Sequence, residues 1–230
     1  MMPNTHNMRI GINIGNALLA QRDRETGALH GIAVDLARAL ARSLGEPAYL
    51  VAFESAGPMA DAATSDEWDA AFLAADPSRA RDISFTEPYL EIDATYLVPP
   101  DSPLKVLDDV DRPGVRIAVS DKSAYDLALK RTITQAEIVR AAGVDASVDL
   151  FFAQRLEALA GLRPLLVDVA QKHQGCRVLD ARFTAILQAI GTPSGRDTAP
   201  LEAFVRDAKT SGLVARLIEQ HHVRGVTAAP

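Results

Sequence analysis

The chain has 230 residues, and its 30 Asp and Glu against 24 Lys and Arg give a formal net charge of −6 at pH 7. This balance argues against a nucleic-acid partner, because binding to the phosphate backbone needs concentrated Lys and Arg. Cys176 is the single cysteine, so neither an intrachain disulfide nor a cysteine-based zinc site is expected. A hydrophobic content of 48% is that of a protein that can bury a sizeable core.

The first residues bear on cellular location. Residues 1–7 form a polar segment without the apolar region of a signal peptide, and the apolar stretch 10–14 is too short to span a membrane. On the sequence alone we therefore expect a cytoplasmic protein. The alternative is a periplasmic protein from which a leader has been removed.

Apolar periodicity predicts the elements of the first part of the chain. Alternation over residues 8–14 predicts a strand, and a helical period over 34–44, ended by Gly45, predicts a helix. The same patterns then predict, in chain order, a strand over 48–53, a helix over 58–63 and a strand over 68–73. This alternation of strands and helices indicates a parallel sheet covered by helices.

The alternation starts again in the second part of the chain. The patterns predict a strand over 115–119, a helix over 123–130, a strand over 136–140, a helix over 148–160, a strand over 165–167 and terminal helices over 199–221. A Pro-rich crossover over 96–104 separates the two parts, and a second crossover is predicted near 184–191. The predicted fold is α/β with two lobes. Lobe 1 is discontinuous and comprises residues 1–97 plus 188–230, and lobe 2 comprises residues 98–187.

The common catalytic motifs are missing from the sequence. It contains no dinucleotide fingerprint, phosphate-binding loop or nucleophile elbow. His221 and His222 are adjacent and point to different faces of a helix, whereas a metal-binding pair needs i, i+4 spacing. Asp108, Asp109 and Asp111 lack the Gly and the distal Glu of a calcium loop, so they predict a helix or turn N terminus. We predict no catalytic residue, no metal site and no cofactor.

Five segments carry motifs that occur in order along nearly the whole chain. They are GIAVDLA at 31–37 with Leu44-Gly45 after it, WDAA at 68–71, DPSRARDISFTEPY at 76–89, DRPGVRIAV at 111–119 and AIGTP at 189–193. In this order they resemble the motifs of family 3 extracellular solute-binding proteins, the amino-acid-type receptors of ABC importers. The resemblance implies a type II periplasmic-binding fold, a clamshell that closes on a small ligand by hinge motion without catalysis.

The resemblance also implies a ligand-binding arginine. Arg79 stands where the family holds the carboxylate of the ligand, and a guanidinium suits a planar carboxylate because it presents two parallel donors. The alternative is a surface arginine paired with Asp82 or Asp76.

A second candidate site follows the first strand of lobe 2. Ser120, Ser123, Ala124 and Tyr125 lie where a helix is predicted to begin, and free backbone N–H groups at such a terminus attract anions. Ser123 stands where the family has a Thr or Ser with a side-chain hydroxyl, and Lys122 stands where the family has a glycine. The alternative is that Ser120 or Ser123 only caps the helix.

Departures from the family pattern define the expected ligand. The usual aromatic cover after the first strand is missing, so Asn16 and Phe53 are candidate contacts, although Phe53 alternatively belongs to the core. Asp76 is a candidate partner for an ammonium group of the ligand; the alternative is that it caps the turn. Leu162 replaces the family aspartate that binds the α-amine, and Arg163 follows it as a candidate carboxylate contact or a simple loop arginine. Since an ammonium group would be poorly paired there, we expect an anionic ligand rather than an ordinary α-amino acid.

The predicted function is capture of a small anionic or carboxylate-bearing ligand in an interlobe cleft, for an ABC transporter. The expected partners are that ligand and a transporter permease, with neither nucleic acid nor membrane insertion, and the chain is expected to be a monomer. Two alternatives stay open. One is an enzyme similar to cyclohexadienyl or arogenate dehydratases, with Asp76 or Glu54 as the general acid, and the other is a cytoplasmic ligand sensor.

Overall fold

The computed structural model describes residues 7–230, so residues 1–6, which hold most of the polar segment used to predict location, lie outside the described residues. The chain divides into two units. Unit 1 comprises the described residues up to Glu91 together with Leu187–Pro230, and unit 2 is Ile92–Ile186. Unit 2 is therefore continuous in sequence, whereas unit 1 is built from two segments.

The first segment of unit 1 forms a parallel sheet with helices. Its elements are β1 (Met8–Asn13), β2 (Gln21–Arg22), β3 (Leu29–His30), α1 (Ile32–Leu44), β4 (Ala48–Phe53), α2 (Ala56–Asp61), β5 (Ala70–Ala74) and β6 (Ile83–Phe85). Strand β1 lies between β4 and β5 and is parallel to both, so that Ile10 pairs with Leu50 on one side and with Ala70 on the other. Gly45 ends α1 with a φ of +74°, as its position in the sequence predicts.

Strand β7 (Leu90–Val98) carries the chain from unit 1 into unit 2. Unit 2 then contains β8 (Arg116–Ser120), α3 (Ala124–Thr132), β9 (Glu137–Ala141), α4 (Val144–Ala153), β10 (Ala158–Leu162), α5 (Arg163–Lys172) and β11 (Arg177–Val178). Strand β8 is parallel to both β9 and β10, and β10 is antiparallel to β7. The carboxyl ends of β8, β9 and β10 therefore lie at one edge of the unit 2 sheet.

Strand β12 (Thr184–Pro193) returns the chain to unit 1. It is followed by α6 (Ala199–Thr210), α7 (Leu213–Gln220) and β13 (Val226–Ala228). Within unit 1, β12 is antiparallel to β5, and His221 Nε2 at the end of α7 lies 2.8 Å from Asp35 Oδ2 of α1. The predicted lobe boundaries at 97/98 and 187/188 fall in the same two strands, β7 and β12, in which the units divide.

One stretch of unit 2 differs from the prediction. The helix predicted over 148–160 and the strand predicted over 165–167 are wrong, because α4 ends at Ala153, β10 follows, and the next residues form α5. Every residue of β10 is buried, and an unbroken apolar run of this length does not distinguish a buried strand from a helix. Two local signals mark the true boundaries: Arg155 has a φ of +50°, and Pro164 lies in the first turn of α5.

The acidic run before β8 includes a short 3-10 turn, Leu107–Asp109, and ends in a carboxylate that binds a turn of backbone. Asp111 accepts hydrogen bonds from the backbone N–H groups of Thr134, Gln135 and Ala136, at 3.0, 2.7 and 2.9 Å. Desolvation raises the pKa of Asp111, but the bonds from Ala136, Gln135 and Thr134 outweigh it and lower the pKa to about 2. Asp111 therefore holds the entry to β9.

Each unit has a hydrophobic core of its own. In unit 1, Trp68 is fully buried beside Met59, Leu73 and Ile83, and its indole Nε1 donates to the Met59 carbonyl at 2.9 Å. In unit 2, a separate cluster is built from Leu97, Ala118, Phe151, Leu156, Leu159 and Leu166. The sheet edges that carry the candidate ligand contacts are thus supported by two separate cores.

Candidate functional site

In unit 1 the predicted contacts follow strands that end at one edge of the sheet. Strands β1, β4 and β5 are parallel, and ligands of open α/β sheets bind outside the carboxyl ends of their strands. Asn16 follows β1, Phe53 ends β4, and Asp76 and Arg79 follow β5. The topology therefore places all four residues at the same edge of the unit 1 sheet, where its parallel strands end.

Arg79 is held in a buried turn directly after β5. Asp76 caps the 3-10 helix Pro77–Arg79, because its Oδ1 accepts from the backbone N–H of Ser78 at 2.9 Å and from the Ser78 hydroxyl at 2.7 Å. The Nη1 of Arg79 donates to the Ala74 carbonyl at 2.7 Å. Burial lowers the pKa of Arg79, while the charges of Asp76 and Asp61 oppose that shift. The turn fixes a cationic group that remains charged, since guanidinium pKa values are far above neutral.

A cavity of about 240 Å³ in unit 1 is lined in part by Arg79. Its other lining residues are Ala60, Asp61, Thr64, Ser78, Arg81, Asp82 and Ile83. Arg81 is directed to Asp82, with Nη2 and Oδ2 2.9 Å apart, and its side chain is 87% exposed. Of the two neighbouring arginines, Arg79 is therefore the buried one and Arg81 belongs to the surface.

Asn16 brings an unsatisfied amide oxygen to the loop after β1. Its backbone carbonyl accepts from the N–H groups of Leu19 and Ala20, which forms a turn. Its Oδ1 is buried and has no hydrogen-bond partner. Among the residues that the structure describes, two buried side-chain atoms are in this condition, and the Asn16 Oδ1 is one of them. Burying a polar atom unsatisfied costs about 1–3 kcal/mol, so Asn16 offers an acceptor that a ligand donor can satisfy. Phe53 packs on the core cluster that contains Trp68 while remaining partly exposed.

In unit 2 the predicted residues form the loop after β8 and the first turn of α3. Ser123 is the N-cap of α3, and its hydroxyl accepts from the Asp126 N–H at 3.1 Å. Lys122 has a φ of +54°, which is the left-handed conformation that glycine adopts more readily. Ser120 and Ala124 are buried on either side of this turn. Ser123 therefore caps the helix, and its contact with a ligand stays a prediction.

Tyr125 connects this loop to the interior of unit 2. Its side chain is buried, and its hydroxyl is hydrogen-bonded to the side chains of Ser123 and Ser120. Burial raises the pKa of Tyr125 to about 12, so the phenol stays neutral and can serve as a donor.

An ion pair between a buried carboxylate and an exposed arginine, which the sequence did not indicate, lies below the same loop. Asp126 is buried, and its carboxylate accepts from Arg140 Nε at 2.9 and 3.2 Å and from the Lys122 N–H at 3.0 Å. Arg140 belongs to β9 and is distant in sequence, so no local pattern pointed to this pair. Its role is to hold the loop in place.

Arg163 is the first residue of α5, directly after Leu162 at the end of β10. Its guanidinium donates to the carbonyl groups of Leu179 at 3.0 Å and Asp180 at 2.7 Å, and its Nε lies 3.5 Å from Asp93 Oδ2. Leu162 itself is buried. Arg163 thus anchors the segment before β12, and its contact with a ligand stays a prediction.

The described residues contain neither a membrane-spanning helix nor a cluster of metal-ligating side chains. Between residues 7 and 230 no helix is long and apolar enough to cross a membrane. In the same range no group of three or more His, Cys, Asp and Glu side chains could hold a metal ion.

Comparison with known proteins identifies the family. The sequence model of the bacterial extracellular solute-binding proteins, family 3, matches residues 8–223. No curated protein sequence matches this chain.

Solved structures share the fold at low sequence identity. An amino acid ABC transporter substrate-binding protein from Streptococcus pneumoniae, bound to L-arginine, is 17% identical with a TM-score of 0.78, covering 97% of this chain and 95% of that one. An ancestral amino acid-binding protein, a precursor of cyclohexadienyl dehydratase, is 21% identical with a TM-score of 0.78, covering 93% and 94%. The GluR0 ligand-binding core in complex with L-glutamate is 21% identical with a TM-score of 0.77, covering 94% and 98%. These similarities confirm the predicted fold class, and the family match over nearly the whole chain shows that the protein belongs to the bacterial extracellular solute-binding proteins, family 3.

Proposed function

We propose that this protein is the substrate-binding component of an ABC transporter of the amino-acid type and that it captures a small ligand through a carboxylate. The observation that carries the proposal is the buried guanidinium of Arg79 at the carboxyl edge of the unit 1 strands. A charged, bidentate donor in that position suits a carboxylate. The family is one of solute-binding proteins, and related structures are complexes with L-arginine and L-glutamate, both of which carry a carboxylate.

Each unit carries its own set of candidate contacts. In unit 1, Arg79 pairs with the carboxylate, and the unsatisfied Oδ1 of Asn16 accepts from a ligand donor. Phe53 supplies an apolar surface, and Asp76 acts by fixing the turn that holds Arg79. These assignments follow from the atoms that each side chain offers near the strand ends.

The proposed contacts of unit 2 are centred on the N terminus of α3. The backbone N–H groups and side chains of Ser120, Ser123, Ala124 and Tyr125 offer donors to a ligand carboxylate. Arg163 is a more distant contact, because two of its donors already bind backbone carbonyl groups.

The location and the transporter partner are parts of the same proposal. The family is described as extracellular, so we propose that the mature protein acts outside the cytoplasm and delivers its ligand to a membrane permease.

The alternative of an enzyme has one specific observation in its favour, since one structural relative is a precursor of cyclohexadienyl dehydratase. Of the two acids considered, Asp76 is engaged as a cap for Ser78 and Glu54 is exposed. Neither arrangement isolates a carboxyl group as a general acid would require. Binding without turnover is the better supported function.

A thermal-shift screen of amino acids, monocarboxylates, dicarboxylates and aromatic acids tests the proposal. A ligand present at 100 times its Kd stabilises the folded state by about 2.7 kcal/mol. For a chain of this size that raises the Tm by about 2–4 °C per kcal/mol. We expect at least one carboxylate to raise the Tm and to be recovered unchanged. A screen in which no carboxylate raises the Tm overturns the proposal, and turnover of prephenate or arogenate establishes the enzyme instead.

A further inference from the structure

A small apolar cavity in unit 2 lies beside the proposed carboxylate-binding loop. Its free volume is about 20 Å³, which is room for about one methyl-sized group. The cavity is lined mainly by aliphatic side chains, among them Val144, Val148, Leu162 and Leu166. Such a space admits the apolar end of a ligand more readily than a charged or hydrogen-bonding group.

Tyr125 connects the cavity to the polar loop. Tyr125 is one of the residues that line the cavity, and its hydroxyl is hydrogen-bonded to Ser120 and Ser123. The proposed carboxylate-binding loop and the cavity are therefore neighbours that share Tyr125. This adjacency fits a ligand with a carboxylate at one end and a short branched carbon chain at the other.

Three carboxylates of unit 2, those of Asp93, Asp121 and Asp126, are already next to arginines. Asp126 is bonded to Arg140, and Asp121 lies 3.8 Å from the same guanidinium. Asp93 lies 2.8 Å from Arg182 and 3.5 Å from Arg163. A ligand ammonium group placed beside Leu162 would thus compete with arginines for an anionic partner, and leaving a buried charge unpaired is costly.

We propose that the ligand is a short, branched aliphatic carboxylate without an ammonium group, whose methyl end occupies the cavity beside Leu162. This inference rests on the proposed capture of a carboxylate and narrows it to a substrate class. The carboxylate binds at the loop of Ser120 and Ser123, and the neutral chain replaces the side chain and amine of an amino acid.

Calorimetry with matched pairs of ligands on the full chain tests the inference. The probes are 3-methylbutanoate against L-valine and 4-methylpentanoate against L-leucine, because the members of each pair differ only in the ammonium group. We expect each acid to bind at least about tenfold more tightly than its amino acid, which is about 1.4 kcal/mol. Equal or tighter binding of the amino acids overturns the inference.

The two proposals can fail separately in this experiment. If neither member of a pair binds while another carboxylate of the screen does, the branched-acid inference is wrong and capture of a carboxylate stands. If no carboxylate binds, the proposed function is wrong as well.

A cavity-filling variant provides a second test that does not depend on the first. Val148→Leu adds one methylene group to the cavity wall at a partly buried position, so the fold is expected to tolerate it. We expect it to weaken binding of 3-methylbutanoate at least about fivefold, which is about 1 kcal/mol, and to leave acetate binding unchanged. Val178→Leu, the same change at a partly buried residue that does not line the cavity, is the matched control. Equal affinities of the two variants for 3-methylbutanoate would refute the placement of the methyl end.

Discussion

Replacing Arg79 by alanine is the sharpest test of the proposed site. The guanidinium of Arg79 is buried after β5, where it is the candidate partner of the ligand carboxylate. A hydrogen bond to a charged group contributes about 1.5–3 kcal/mol. We therefore expect Arg79→Ala to raise the Kd of the best carboxylate of the screen by about 10- to 150-fold.

The same substitution has a structural cost that must be measured separately. Arg79→Ala removes the bond from Nη1 to the Ala74 carbonyl, and an unsatisfied buried acceptor costs about 1–3 kcal/mol. Trp68 is the single tryptophan of the chain and is fully buried in the unit 1 core, so its fluorescence reports whether the unit remains folded. Denaturant unfolding followed at this residue gives the loss of stability, and calorimetry below the transition gives the Kd.

Arg81→Ala is the matched control, because it removes the same side chain two residues away. Arg81 is 87% exposed and pairs with its neighbour Asp82, and surface pairs of this kind are worth about 0–1 kcal/mol. We expect its Kd to remain within about twofold of the wild-type value. If Arg79→Ala also binds the ligand within about twofold of wild type while Trp68 reports a folded unit 1, Arg79 does not bind the carboxylate and the site assignment is refuted.

Three further predictions concern the framework of the site. Trp68→Phe is expected to destabilise the protein by about 1–3 kcal/mol in denaturant unfolding followed by circular dichroism, because it leaves the Met59 carbonyl unsatisfied and a space in the core; an unchanged midpoint would contradict this. Ser123→Ala is expected to cost about 1 kcal/mol through loss of the α3 cap, with Ser123→Thr restoring most of it, and equal stability of the three proteins would show that the cap is not needed. The lowered pKa of Asp111 means that its contribution is complete above about pH 4 and is lost as the pH falls towards 2. Asp111→Asn should therefore flatten the acid limb of a plot of unfolding free energy against pH, and an unchanged slope would rule out this carboxylate as the source.

Much of the site's framework could be predicted because it follows local patterns. Alternating strands followed by periodic helices indicated where strands end, while the family resemblance singled out Arg79 and Asn16, which the structure places after β5 and β1. The helix stop at Gly45 and the cap at Ser123 are also local, since each depends on one residue type at one position.

Features that depend on distant contacts could not be predicted. Asp126 and Arg140 lie on different elements, so their ion pair required the sheet order to be known. The anchoring of Arg163 by the carbonyl groups of Leu179 and Asp180 depends on a later segment passing beside α5. The apolar run of β10 is compatible with a helix until its burial on both faces is known, which is why the boundaries were wrong there.

The insertion of unit 2 into unit 1 has a consequence for synthesis on the ribosome. All the residues of unit 2 leave the ribosome before Leu187, so its β8–β9–β10 sheet can form while unit 1 is still incomplete. Unit 1 must wait for its second segment, which supplies the strand that pairs with β5 and the helix whose His221 reaches Asp35. Until then β5 lacks its antiparallel neighbour β12, and the first segment carries an unpaired strand edge. The order of the chain thus lets unit 2 fold before unit 1 is complete.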